Sequence, residues 1–267
     1  MSTLTGKAEI FLSLHVRGKP LLQPNAFDAG SARLLQAAGF ASIATTSSGF
    51  AATLGRRDGR VTRAEALEHF RAVAAAVDIP VAADAENCYA DDPDGVAETI
   101  RLAAETGLAG CSVEDYDSDK DQIYQRGLAV ERVIAAVEAS RGRLVLTARA
   151  EDLLHGGTLD EAIARIQAYQ EAGADVLFVP GLRKAADIRA VVGAVDKPVN
   201  VLVVGESPSV AELAEIGVAR VSVGGSFTWV AYAAVLAAAQ ELREHGTYGY
   251  AATLATARPV ITAALGD

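Results

Sequence analysis

Sulfur and positive charge are both scarce in this chain, and each shortage narrows its chemistry. Only two of the 267 residues are cysteines, Cys88 and Cys111, so no disulfide framework holds the fold together. No C-x-x-C pair occurs, and His15, His69, His155 and His245 are scattered, which argues against a zinc site of the Cys/His kind. Lysine is limited to Lys7, Lys19, Lys120, Lys184 and Lys197, none of them inside a strand-like run. A Schiff-base mechanism wants a desolvated lysine on a strand, so the chain does not read as that kind of aldolase. There are 24 basic against 34 acidic residues, a net charge of -10 that repels nucleic acid, and no basic patch with interleaved aromatics offsets it. No apolar run reaches the roughly 18 residues needed to span a bilayer, so no membrane partner is expected. The opening MSTLTGKAEIFLSLHVRGKP lacks the basic-then-apolar layout of a signal peptide, and a cytoplasmic location is expected. No G-x-S-x-G elbow is present, which removes the common serine nucleophile.

What the chain does have is apolar residues, 51% of the total, arranged in short unbroken runs. The runs are 20-PLLQPNAF-27, 42-SIATT-46, 80-PVAADAE-86, 110-GCSVED-115, 144-LVLTARAE-151, 175-DVLFVPG-181, 198-PVNVLVV-204 and 220-RVSVGG-225. Continuous apolarity predicts strands covered on both faces, as in a parallel sheet. Between them lie helical patterns such as 62–77, 158–173 and 208–217. Thr62 and Thr158 each stand three residues before a Glu, the capping-box spacing. Gly39, Gly107, Gly173 and Gly217 fall where those helices should end. Eight such units average about 33 residues each, and eight is the number that closes a (β/α)8 TIM barrel. The rival, a doubly wound open sheet, lacks its Gly-rich phosphate loop here. Residues 1–267 therefore read as one domain, with 247–267 an apolar tail that packs on its own barrel or on a partner subunit.

In such a barrel the active site lies at the C-terminal ends of the strands. Asp84, Glu86 and Glu114 are expected there. Three carboxylates in one mouth repel unless a cation, protons or arginines hold them together. Oxygen ligands without His or Cys suit a hard ion, Mg²⁺ or Mn²⁺. Arg149 ends the fifth run, where its planar fork suits a substrate carboxylate or an ion pair with Glu151 or Asp115. The stretch 46-TSSGFAATLG-55 reads as a Ser/Gly turn whose amides could hold a carboxylate or an enolate oxygen. Asn200, in the seventh run, is a further substrate-binding candidate. The polar segment 116-YDSDKDQIYQRG-127 is long for its place and reads as a lid, with Lys120 and Arg126 able to close over an anion, or as a solvated loop.

Taken together, 84-DAEN-87, 112-SVED-115, 147-TARAE-151 and the Ser-Ser-Gly-Phe turn with Asp58 after it resemble the isocitrate lyase/phosphoenolpyruvate mutase superfamily. The resemblance runs from about Pro24 to Tyr248. It implies a (β/α)8 barrel whose C-terminal helix is exchanged between subunits of a homodimer or homotetramer. It also implies Mg²⁺ (or Mn²⁺) with a small 2-oxo or 2-hydroxy carboxylate. Carried over by position, Asp84 looks like the direct metal ligand, and Asp58, Glu86 and Glu114 look like ligands through water. Ser47, Ser48, Gly49 and Phe50 resemble the substrate-holding turn, and Arg149 the substrate-binding arginine, with Asn200 beside it. The lid departs from the family: it has neither the K-[KR]-C-G-H of the lyases nor the E-D-K-x-x-P-K-x-N-S of the phosphonate enzymes. Glu86 also stands where Asp is usual. The implied activity is cleavage of a C–C bond in a 2-oxo or 2-hydroxy dicarboxylate through a metal-stabilised enolate, by a lyase or decarboxylase. Glu114, Arg149, Tyr116 and Lys120 are then the candidate catalytic side chains. The alternatives are a phosphonopyruvate-type P–C mutase or hydrolase, and a non-catalytic 2-oxo acid binder.

Overall fold

A computed structural model describes residues 6–266. Nine short parallel strands form one sheet in the order β1-β11-β10-β9-β8-β5-β4-β3-β2. They are β1 (Leu21–Gln23), β2 (Asn25–Ala26), β3 (Ile43–Thr45), β4 (Val81–Ala83), β5 (Gly110–Glu114), β8 (Val145–Arg149), β9 (Val176–Phe178), β10 (Val199–Leu202) and β11 (Arg220–Ser222). The two ends of the sheet are consecutive in the chain. Leu21–Gln23 pair with Arg220–Ser222, whereas Asn25 and Ala26 pair with Ala44 and Thr45. Pro24 separates them because it has no N–H to give to a ladder. Its carbonyl still accepts from the Ala44 amide at 2.9 Å. The first predicted run is thus one barrel position carried by two strands, and the eight positions close as expected.

The helices are α1 (Lys7–Ser13), α2 (Ala29–Ala37), α3 (Ser47–Thr53), α4 (Arg63–Ala76), α5 (Pro93–Ala104), α6 (Arg126–Ser140), α7 (Leu159–Glu171), α8 (Ala185–Gly193), α9 (Val210–Ile216), α10 (Ser226–His245) and α11 (Ala251–Leu265). Thr62 and Glu65 form the full capping box at α4, while at α7 only the Thr158 half forms. Gly39, Gly107, Gly173 and Gly217 all take the positive φ that ends a helix. Two expectations change. The Ser/Gly turn after β3 is a short helix, α3, because Thr46 caps it by accepting from the Gly49 amide. The polar segment 116–127, expected as a lid or a solvated loop, contains a small antiparallel hairpin, β6 (Tyr116–Asp117) with β7 (Gln122–Ile123).

The N-terminal end of the barrel is plugged by α1. Phe11 is fully buried there among Leu21, Ala44, Ala82, Ala109, Val145 and Val176. At the other end of the chain, α10 buries only Thr228 and α11 buries nothing. α11 lies against α2 of its own chain, where Arg33 donates to the Leu265 carbonyl. Trp229, Val230, Val235, Leu236, Leu254 and Val260 are each more than half exposed. No helix among the described residues is long and apolar enough to cross a membrane.

The plug needs a strand without a side chain beneath it. A Cβ on Gly110 would lie 2.6 Å from Phe11 Cε1 and 2.9 Å from the Val145 carbonyl oxygen. Gly110→Ala is expected to destabilise the protein by about 1–3 kcal/mol through overpacking, read by denaturant unfolding. An unchanged midpoint would show that α1 is not seated on the barrel floor.

Candidate active site

The C-terminal strand ends converge on Arg149, the last residue of β8. Its three guanidinium nitrogens each meet a different carboxylate. Nη1 lies 2.6 Å from Asp84 Oδ1, Nη2 3.1 Å from Glu114 Oε2, and Nε 2.9 Å from Glu151 Oε1. The Phe178 ring lies 5.2 Å from the guanidinium carbon. Arg149 is therefore the hub of the mouth. Of the ion-pair partners expected for it, Glu151 is realised. Asp115 instead holds the Glu151 amide with Oδ1 at 2.8 Å. Its Oδ2 accepts from Arg165 Nη1 at 3.1 Å and from the Tyr169 hydroxyl at 2.5 Å.

Asp84 is positioned from two sides. Its amide donates to Thr45 Oγ1 and its Oδ2 accepts from the Ser47 amide, both at 3.0 Å. β4 stops at Ala83, so Asp84 and Glu86 do not owe their places to strand alternation. The chain turns sharply instead: Glu86, Cys88 and Tyr89 all have φ between 50° and 61°, a region that costs a non-glycine residue energy. The Glu86 carbonyl accepts from the Glu114 amide at 3.0 Å, which ties this turn to the end of β5. The Tyr89 hydroxyl donates to Glu86 Oε1 at 3.2 Å.

Negative charge is in excess here. Burial, then the charges of Asp84 and Asp58, push the Glu86 carboxyl up to about 8. Burial raises Glu114 well above the usual range even beside Arg149. Asp58, on the loop after α3, is raised by desolvation and then by the charge of Asp84. One arginine does not balance this group, and a bound cation would. The donors are all oxygen. Among the described residues no three His, Cys, Asp or Glu side chains close tightly enough to cage an ion directly. An all-oxygen donor set fits Mg²⁺, which keeps much of its water and takes one or two carboxylates.

The phosphoenolpyruvate phosphomutase family profile matches residues 11–243. The chain belongs to this family. It lies within the wider isocitrate lyase/phosphoenolpyruvate mutase superfamily and is an enzyme of that group. Its structure is similar to that of a protein from Burkholderia cenocepacia J2315 described as a lyase/mutase, with TM-score 0.91 and 46% identity over 95% of this chain and 94% of that one. The 2-methylisocitrate lyase of Escherichia coli K12 is 32% identical over 74% of each chain. Oxaloacetate acetylhydrolase, solved with its product oxalate, aligns with TM-score 0.85 and 27% identity over 96% of this chain and 93% of that one. This family membership accounts for the order of motifs along the chain.

Several residues singled out in the sequence sit differently from their expectation. The Ser47 amide is engaged by Asp84, Ser48 Oγ lies 3.2 Å from Thr46 Oγ1, and Phe50 stacks on His69 with ring centres 3.9 Å apart. Lys120 forms ion pairs with Asp91 and with Asp117, the latter at 2.8 Å, and these partners raise its pKa. The Tyr116 hydroxyl donates to Asp121 at 2.7 Å, which pushes it up to about 12. Neither lid group is placed as a free proton carrier. Arg126 pairs with Glu161 at 3.8 Å. Asn200 is buried, accepting from Arg220 Nε and donating to Ser222 Oγ. Both cysteines are buried, and burial pushes the Cys88 thiol up to about 12.

Sequence reasoning missed the Asp115–Arg165–Tyr169 buttress. Arg165 and Tyr169 are one turn apart on α7, a signal that points them to one face without saying the face is buried. Asp115→Asn is expected to cost about 3 kcal/mol in chemical denaturation, because Arg165 loses its best-buried partner while Asp152 and Glu161 remain nearby. A change under about 0.5 kcal/mol would show that the buttress holds nothing in place.

Proposed function

We propose that this chain is a Mg²⁺-dependent lyase or decarboxylase that breaks a C–C bond in a small 2-oxo or 2-hydroxy dicarboxylate. The observation that carries the reading is Arg149 seated among Asp84, Glu114 and Glu151, with Glu86 and Asp58 crowding the same mouth. Asp84 would hold the ion directly, and Asp58, Glu86 and Glu114 would hold it through water; Mn²⁺ fits the same donors. Bound there, the ion supplies positive charge where the enolate oxygen develops its negative charge.

The chain's own residues orient and anchor. Glu151, itself held by Asp115, fixes Arg149 at Nε, so the guanidinium presents its two Nη atoms to the mouth. Each Nη atom, although held by Asp84 or Glu114, keeps one further N–H for a substrate carboxylate. Ser47 presents Asp84 in one orientation through its amide. An outer cavity of about 580 Å³ between the loop after α3 and the lid hairpin gives a small acid room to enter beside Glu86. Tyr116 and Lys120 serve as proton carriers only if the hairpin moves and frees them from Asp121, Asp91 and Asp117. The same tethering favours a second reading, a non-catalytic binder of 2-oxo acids.

Asp84→Ala is expected to abolish Mg²⁺-dependent binding of oxalate, a mimic of the pyruvate enolate, and to lower turnover at least about 100-fold with the fold retained. Calorimetry and circular dichroism would check this. A native protein that binds neither Mg²⁺ nor Mn²⁺ would falsify the proposal. Turnover across a panel of oxo and hydroxy diacids separates lyase from binder, and phosphate release from phosphonopyruvate identifies P–C chemistry.

The exposed apolar side chains of α10 and α11 support assembly as a homodimer or homotetramer. A Val235→Glu/Leu236→Glu double variant is expected to sediment as a smaller species than the native protein. Identical sedimentation would move the interface elsewhere.

A further inference from the structure

A second arginine lies deeper in the barrel. Arg220, at the start of β11, is only 5% exposed, and among the described residues no carboxylate pairs with it. Its Nε donates to Asn200 Oδ1 at 3.0 Å and its Nη2 to Thr147 Oγ1 at 3.2 Å. Nη1 lies 3.2 Å from His15 Nε2. His15 Nδ1 is 2.8 Å from the Phe11 carbonyl, which can only accept, so Nδ1 carries the proton and Nε2 is free to accept from Arg220. Burial and the nearby guanidinium lower His15 to about 3, so it is neutral. All three partners are therefore uncharged, and two of the five guanidinium N–H groups are left over.

Arg149 and Arg165 meet carboxylates, whereas Arg132, like Arg220, has only uncharged partners, the carbonyls of Asn87, Ala90 and Asp91 with the Tyr124 ring 4.1 Å away. Arg220 instead lines a cavity of about 90 Å³ inside the barrel, together with Arg149, Asp84, Ser112, Asn200 and Ser222. The Ser112 hydroxyl, on a residue 8% exposed, has no hydrogen-bond partner. A barrel interior is normally filled with branched apolar side chains, and a buried charge without a counter-charge is destabilising. The cavity thus has a compensated cation at its mouth, an uncompensated cation at its floor and an unused hydroxyl in its wall. An anionic group bound between the two arginines would relieve their mutual repulsion and complete both donor sets.

We propose that Arg220 reads a second carboxylate on the substrate, so that the site selects small diacids over monoacids. This rests on the 2-oxo or 2-hydroxy acid chemistry proposed above. The test is calorimetry with Mg²⁺ present, using L-lactate, L-malate and oxalate. Lactate and malate share a 2-hydroxy acid head and differ in the distal carboxylate, whereas oxalate probes the head site alone. The native protein is expected to bind malate at least about 10-fold more tightly than lactate. Arg220→Met is expected to erase that preference, to leave oxalate affinity within about two-fold, and to unfold at or above the native temperature because the unpaired charge is gone. Arg220→Gln and Arg220→Lys, which keep donors at the floor, guard against a folding defect in the Met variant, and the Gln variant is expected to lose the preference too. A native protein without the preference, or a preference that survives in both the Met and Gln variants, overturns the role of Arg220 alone. So does a lower unfolding temperature with selectivity intact, the mark of a structural residue. Failure of the native protein to bind oxalate with Mg²⁺ overturns the proposed function and this inference with it.

Discussion

Charge balance around Arg149 governs the arrangement of the whole barrel mouth. Its guanidinium is shared by Asp84, Glu114 and Glu151, which arrive from three different strand ends. Remove that positive charge and the acids would have to separate or take up protons. The site is built to hold more negative charge than one arginine neutralises, as the raised carboxyls of Glu86 and Glu114 show. In the proposed reading a bound cation offsets this excess, so the local field at the mouth, rather than the net charge of -10, decides what binds there.

That arrangement depends on what stands behind it. Glu151 is held by Asp115, and Asp115 by Arg165 and Tyr169 of α7, so an outer helix helps to fix the orientation of an inner side chain. The short helix α3 does the same for Asp84 through the Ser47 amide. Below, Phe11 and His15 close the barrel floor and support Arg220. The interior is therefore layered, with an apolar plug, a lone cation, a small cavity and then the charged mouth. Polar groups in this interior are nearly all partnered, which makes the idle Ser112 hydroxyl and the uncompensated Arg220 stand out.

Much of the scaffold was legible along the chain because its signals are local. Unbroken apolar runs mark two-sided strands, and Gly39, Gly107, Gly173 and Gly217 mark helix ends through a conformation most residues avoid. The acid cluster was legible too, since Asp84 and Glu114 both stand near the C-terminal ends of such runs. The lid was harder. Tyr116 and Gln122 lie in a region rich in polar residues, and whether it forms a hairpin depends on pairings that composition does not record. Likewise the stretch Ser47–Thr53 reads as a Ser/Gly turn, and it is a helix because Thr46 caps it.

By itself the sequence determined the eight barrel positions, though not that the first is carried by two strands, and it determined the barrel fold and the family. Each of these follows from residue type and short-range spacing. Only the tertiary structure decided which acid meets which base. Arg149 and Asp84 are 65 residues apart and Arg220 and His15 are 205 apart. Closing the barrel brings such pairs within hydrogen-bonding distance, and the low polarity of the interior then makes a missing partner at Arg220 matter.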